Sequence, residues 1–146
     1  MAKRKVAVVV GSLRRGSFSR MTAKAMCGLA PGLECEVVEI GQLQLYNQDL
    51  DEGDPPAEWK RFRERIRGAD GVLFVTPGAL GAFGANHHLR QSLVFLDMPA
   101  LQQPEAYLSG VAKWFDGEGK LTNDDARGFL EKFMEAFAAW IEKTAK

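Results

Sequence analysis

The residues best placed to do chemistry lie in one stretch, Gly11-Ser12-Leu13-Arg14-Arg15-Gly16-Ser17-Phe18-Ser19. It joins the apolar run Val6–Val10 to apolar positions at helical spacing, Phe18, Met21, Ala25 and Leu29. A helix N-terminus offers unpaired N–H groups and the positive end of the helix dipole. Ser12, Ser17 and Ser19 add hydroxyl donors, and Arg14 or Arg15 can make a charge-assisted, bidentate contact to phosphate oxygens. Gly11 and Gly16 let the backbone curl toward an anion. A serine-capped helix after a polar turn is the plainer alternative; arginine between the serines favours the anion cradle. The stretch is not a Walker A loop, which needs a Gly-Lys-Ser/Thr ending, and not Gly-x-Gly-x-x-Gly. Nor is it a hydrolase elbow, since Arg14 stands where the second glycine of Gly-x-Ser-x-Gly belongs.

Such a loop needs elements to hold it. Val6–Val10 reads as a central parallel strand covered on both faces. Glu34–Ile40 reads as an edge strand, because three carboxylates interrupt it. Gln42–Pro56 is an acidic loop, and Trp59, Phe62, Ile66 and Ala69 resume helical spacing. Lys60, Arg61, Arg63, Arg65 and Arg67 on that helix read as a solvated face rather than a binding patch. Gly71–Val75 is a third strand. A helix is expected from about Asn86 to Met98, a short strand at Gln103–Leu108, and a last helix capped by Thr122 with Asp124 and Asp125 in its first turn. Phe129, Leu130, Phe133, Met134, Phe137 and Ile141 form its apolar stripe.

Strands alternating with helices imply an α/β fold, a parallel sheet with helices on both faces. Ligands of such folds bind beyond the C-terminal strand ends, here the loops Gly11–Ser19 and Thr76–Gly84. Gly78, Gly81 and Gly84 could also mark a dinucleotide turn, but their spacing is not the fingerprint.

Composition bounds the function. The 146 residues suit a single domain over 1–146, and 19 basic side chains cancel 19 acidic ones. A neutral chain has no general pull toward nucleic acid or an anionic membrane. No apolar run is long enough to span a bilayer, and Val6–Val10 is too short for a signal-peptide core. Cys27 and Cys35 read as reduced thiols of a cytoplasmic protein. The adjacent His87 and His88 point apart on a helix, which argues against a metal site.

Gly-Ser-x-Arg-x-x-Ser-x-Ser after a buried first strand resembles the NAD(P)H-dependent FMN reductase family. The likeness continues in Leu43–Leu50, in Phe74-Val75-Thr76-Pro77, in Gly78–Gly81, and in His88–Gln91 with Phe95–Met98. The resemblance implies a flavodoxin-like three-layer sandwich. It implies FMN held at its phosphate by Ser12, Arg14, Ser17, Phe18 and Ser19, with Thr76, Pro77 and Gly78 nearer the ring. NADPH or NADH would be co-substrate, and a quinone, flavin, azo compound or metal oxyanion the acceptor, in a ping-pong cycle with no side chain obliged to act as acid or base. A homo-dimer or homo-tetramer is implied too, with His87–Leu96 as candidate surface. The alternatives are a phosphate- or FMN-binding module with little reductase activity and a flavodoxin-like electron carrier.

One departure stands out. In the family the third strand runs into a Thr-Pro-Glu-Tyr-Asn loop, a helix and a fourth strand that ends near Ser-Pro-Gly. Here Val75-Thr76-Pro77 passes straight into Gly78-Ala79-Leu80-Gly81. The resemblance therefore implies one inner strand and one helix fewer. Either Gln103–Leu108 pairs directly with Val72–Val75 as a four-stranded sheet, or a second subunit covers the edge.

Overall fold

The computed structural model describes residues 2–145, every side chain among them except that of Ala79. The strands β1 (Arg4–Val10), β2 (Leu33–Val37) and β3 (Gly71–Val75) form a parallel sheet in the order β2-β1-β3. The helices are α1 (Phe18–Gly28), α2 (Gln48–Glu52), α3 (Ala57–Arg67), α4 (Phe83–Phe95) and α5 (Asp124–Thr144).

The order follows from the sequence. β1 is apolar on both faces and takes the centre; Val6, Ala7, Val8 and Val10 are buried. Glu34 and Glu36 stay exposed on β2, an edge strand as expected. The chain goes from β1 outward to β2 and returns past β1 to β3. Right-handed crossovers then put α1 and α3 on opposite faces. Val6, Val8 and Val10 pack with Ala23 and Met26 of α1 and with Leu130, Met134, Phe137 and Ile141 of α5. On α3 only Trp59 is buried; its basic face is solvated, with Arg63 paired to Asp51 at 2.6 Å, Lys60 to Asp54 and Arg65 to Glu36. Where β1 begins, Asp70 accepts from the Lys5 amide at 2.7 Å and from Arg4 at 3.1 Å, and Arg4 also grips Glu142 of α5. These donors hold the Asp70 carboxyl below its ordinary range, the Lys5 amide foremost.

Several expectations are corrected. The strand after Pro31-Gly32 ends at Val37 rather than Ile40, although the Val38 amide still donates to the Val8 carbonyl at 2.9 Å. The acidic loop holds the short α2, capped by Asn47. The helix expected from Asn86 to Met98 begins at Phe83 and ends at Phe95. The cap of α5 is Asn123, not Thr122: the Asn123 side chain accepts from the Ala126 amide at 2.8 Å. Within the expected stripe Phe129 is exposed.

The largest correction is Gln103–Leu108, which is not a strand; the sheet of the described residues has three members, not four. A strand is defined by its neighbour, and no hydrogen bond joins this segment to β3 among the described residues. A cavity of about 310 Å³ lies between them, lined on one side by Gly71–Phe74 and on the other by Leu101, Pro104 and Glu105.

Candidate functional site

The order β2-β1-β3 places the reversal of strand order between β1 and β3, so the loops after these parallel strands meet at their C-terminal ends. Gly11 makes the meeting possible. Its amide donates to the Val75 carbonyl at 2.9 Å, and a Cβ there would stand 3.0 Å from Cδ of Pro77. Gly16 has open space around it.

A cavity of about 560 Å³ opens at this junction. Ser12, Arg14, Ser17, Phe18, Ser19, Thr76, Pro77 and Gly78 all line it. The two loops singled out by spacing alone thus form one wall. Arg15 is not on this wall, so the structure separates the two arginines that sequence left equivalent.

At one end of the cavity is the N-terminus of α1. Ser17 is buried and caps the helix: its Oγ accepts from the Arg20 amide at 3.3 Å, and its carbonyl accepts from the Met21 amide at 3.1 Å. The serine cap and the anion cradle are therefore not alternatives, because the Ser17 hydroxyl keeps a hydrogen to donate while Oγ accepts. Thr22 stiffens the first turn, its hydroxyl donating to the Phe18 carbonyl at 2.9 Å. The amides of Phe18 and Ser19 have no acceptor among the described residues. Arg14 lies over the Phe18 ring, 5.7 Å from its centroid. It has no carboxylate partner among the described residues, unlike Arg20, which pairs with Glu39 at 2.6 Å. Two free amides, three hydroxyls and an unpaired guanidinium at a helix N-terminus are donors of the kind that an anion would need.

Leu80, Asn86, Leu108 and the turn Ser109–Ala112 also line the cavity. Sequence reasoning did not choose Asn86 or Ser109–Val111. The Ser109-Gly110 pair after the extended segment ending at Leu108 was the available signal, by the rule that ligands sit beyond strand ends. Between Gly78 and α4 the backbone is left-handed at three successive residues: Leu80 (φ 51°), Gly81 (φ 67°) and Ala82 (φ 61°). Gly81 is required here, since a Cβ would lie 2.6 Å from the Tyr107 carbonyl carbon. Gly78, where a Cβ would stand 3.0 Å from Cα of Ala82, and Gly81 thus serve backbone packing, whereas Gly84 has open space. His87 packs on Phe83, with ring centroids 4.2 Å apart, and meets the Tyr107 hydroxyl at 3.4 Å.

The two thiols are free. Cys27 and Cys35 face each other across α1 and β2, and their mutual hydrogen bond raises Cys27 while lowering Cys35. Among the described residues no helix is long and apolar enough to cross a membrane.

Comparison with known proteins agrees with this geometry. The chain is 47% identical to a quinone reductase of Pseudomonas putida over 176 residues, covering 94% of each. It is 33% identical to an NAD(P)H-dependent FMN reductase of Pseudomonas aeruginosa, covering 95% of this chain and 96% of the relative. Among solved structures, the flavoenzyme NAD(P)H:(acceptor) oxidoreductase FerB of Paracoccus denitrificans matches with a TM-score of 0.89 and 30% identity, over 98% of this chain and all of FerB. An alignment of 176 residues exceeds the 146 of the chain, so at least 30 positions of the P. putida relative face a gap. With 94% of both sequences aligned, most of that gap is internal. The family match covers residues 4–78 and stops three residues after β3, where the sequence itself shows the skip. With half of its length matched to the family model and its α/β fold shared with FerB, the chain belongs to the NADPH-dependent FMN reductase family.

Proposed function

We propose that this chain, a single domain over 1–146, binds FMN and catalyses electron transfer from NADPH or NADH to a small quinone. Ser12, Arg14, Ser17, Phe18 and Ser19 hold the phosphate of FMN, and Thr76, Pro77 and Gly78 border its ring. The observation that carries the reading is the unpaired Arg14 beside the free Phe18 and Ser19 amides at one end of a cavity of about 560 Å³. That volume falls in the range of about 300–1,000 Å³ usual for cofactor sites. FMN, when bound, supplies the hydride-accepting chemistry; the chain orients it and sets access. Ser12 and Ser19 donate to phosphate oxygens, and Arg14 closes over them from the Phe18 ring. The quinone acceptor is supported by the named activity of the P. putida relative. Two reduced thiols support a cytoplasmic setting.

The test is a titration with FMN followed by its visible absorbance, then by NAD(P)H oxidation with a benzoquinone. Saturable binding and turnover are expected. Arg14→Ala should weaken FMN about 10- to 100-fold, the worth of one charge-assisted hydrogen bond. Protein that never takes up FMN overturns the reading. FMN binding without turnover would make it a binding module, for which the shortened Thr76–Gly81 connection on the ring side is the specific observation.

We further infer that copies associate through α4. No residue of α4 is buried, and Val94, Phe95 and Leu96 are 79%, 89% and 60% exposed. Sedimentation should show a dimer or tetramer that Phe95→Glu dissociates; a monomer at all concentrations removes this surface.

A further inference from the structure

Cys27 and Cys35 line neither cavity, so the function proposed above makes no use of them. They are the only two cysteines of the chain. The turn between α1 and β2 brings them together. The Leu29 amide donates to the Ala25 carbonyl at 3.0 Å and the Ala30 amide to the Cys27 carbonyl at 3.3 Å, which ends the helix. The Leu33 amide then donates to the Ala30 carbonyl at 3.0 Å, so Pro31-Gly32 returns the chain directly into β2. Cys35 stands opposite Val6 in the parallel ladder. Alternation along β2 puts it on the face of Leu33 and Val37, with Glu34 and Glu36 on the other. On α1, Cys27 lies one turn from Ala23 and one turn from Ala30, both buried. Ala23, Ala30 and Leu33 belong to one core cluster, and both cysteines pack against it. Between helix and strand the two thiols share a hydrogen bond.

The surroundings suit this pair to redox chemistry and not to packing alone. Both thiols are free and half-buried, within reach of a small oxidant. Their hydrogen bond is unsymmetrical: the Cys27 thiol donates and Cys35 Sγ accepts, which favours the thiolate at Cys35. A second thiol in contact with that thiolate is a resolving partner already in place. Among the described residues β2 pairs with β1 alone, so this strand has freedom on its other side. It can yield the small distance that separates hydrogen-bonded sulfurs from bonded ones, about 2.05 Å apart.

We propose that Cys27 and Cys35 form an oxidation site, which a hydroperoxide closes to an intramolecular disulfide and a thiol reductant reopens. Cys35 Sγ attacks one peroxide oxygen of hydrogen peroxide; the O–O bond breaks, the other oxygen leaves as water with the thiol proton, and Cys35 becomes a sulfenic acid. Cys27 Sγ then attacks that sulfur; the S–O bond breaks and the hydroxyl leaves as water with the Cys27 proton. Two thiols lose two electrons, one peroxide gains them, and two waters form. A disulfide that opens again suits a reducing compartment, where lasting ones are rare. The inference does not rest on FMN binding, which concerns the other end of α1.

The test treats the reduced full chain with hydrogen peroxide. The intact mass should fall by two hydrogens, and both thiols should lose reactivity toward a maleimide together. A proteolytic digest should contain one pair of peptides joined through Cys27 and Cys35. Dithiothreitol should restore both thiols. Cys35→Ser should slow oxidation of the remaining thiol about 10-fold or more. Cys27→Ser should leave Cys35 reactive but unresolved, so that excess peroxide carries it to the irreversible sulfinic acid. A chain that gains oxygen without losing two hydrogens overturns the proposal. So does one that loses a single thiol, or that forms disulfides only between two chains. These readouts use the unaltered chain, so they decide the matter even where a variant fails to fold.

Discussion

The two edges of the sheet were met by opposite means. At β2 the edge is closed by its own sequence: Glu34 and Glu36 stay exposed, Glu36 pairs with Arg65, and an incoming strand would meet charge. At β3 there is no such device. Val72, Leu73 and Phe74 are apolar throughout, the composition of a strand with neighbours on both sides. β3 therefore has an inner strand's sequence in an edge strand's position. Edge or centre is written into a strand's side chains, and deleting its neighbour does not rewrite them.

The sharpest way to break this comparison is to cut equivalent side chains on its two sides. Leu130 of α5 is fully buried against β1 and α1. Leu130→Ala should cost about 2–5 kcal/mol, the loss of transfer energy plus the cavity left behind. Leu93 of α4 is half-buried and borders the cavity beside β3, where it already lacks atoms on one side. Leu93→Ala should cost less than about 1.5 kcal/mol, because much of the cavity term is already present. Urea denaturation of both variants decides it. Equal losses would mean that this cavity is packed in solution.

The same division governs what could be read from the sequence. Before Gly78, spacing and chemistry placed β1, α1 and β3 within a residue or two, and both candidate loops lined the same cavity. There local signals and tertiary partners agree: Ser17 caps α1 and the Val6–Val10 run sits between two neighbours. Past Gly78 the signals refer to a neighbour that is missing. Gln103–Leu108 has no strand's pairing, and Pro104, which has no amide to give a ladder, was the signal within the segment against an inner strand. Arg14 and Arg15 were indistinguishable because the choice depends on where the loop turns. Asn86 was invisible because it reaches the cavity from the half whose connections the skip alters, and Ser109–Val111 carried only the turn signal of Ser109-Gly110.

A finer test compares the loops rather than the strands, using one leucine in each. Leu80 sits at φ 51°, a left-handed conformation that a side chain with a Cβ resists by about 1–2 kcal/mol. Leu13, in the loop after β1, is not among the residues at positive φ. Both are exposed, at 86% and 64%, so neither loses much packing when shortened. Leu80→Gly relieves the strain, and the relief exceeds the added freedom of the unfolded chain, about 0.4–1 kcal/mol. It should raise stability by about 0.5–1 kcal/mol. Leu13→Gly has no strain to relieve, and the same unfolded-state entropy lowers stability by about as much. The two substitutions are alike on paper and should move the denaturation midpoint in opposite directions. If Leu80→Gly also lowers it, the turn after Gly78 is not strained, and the skip has been absorbed without backbone cost. The expected reversal locates that cost at residues 80–82, where the chain must reach α4 directly from β3.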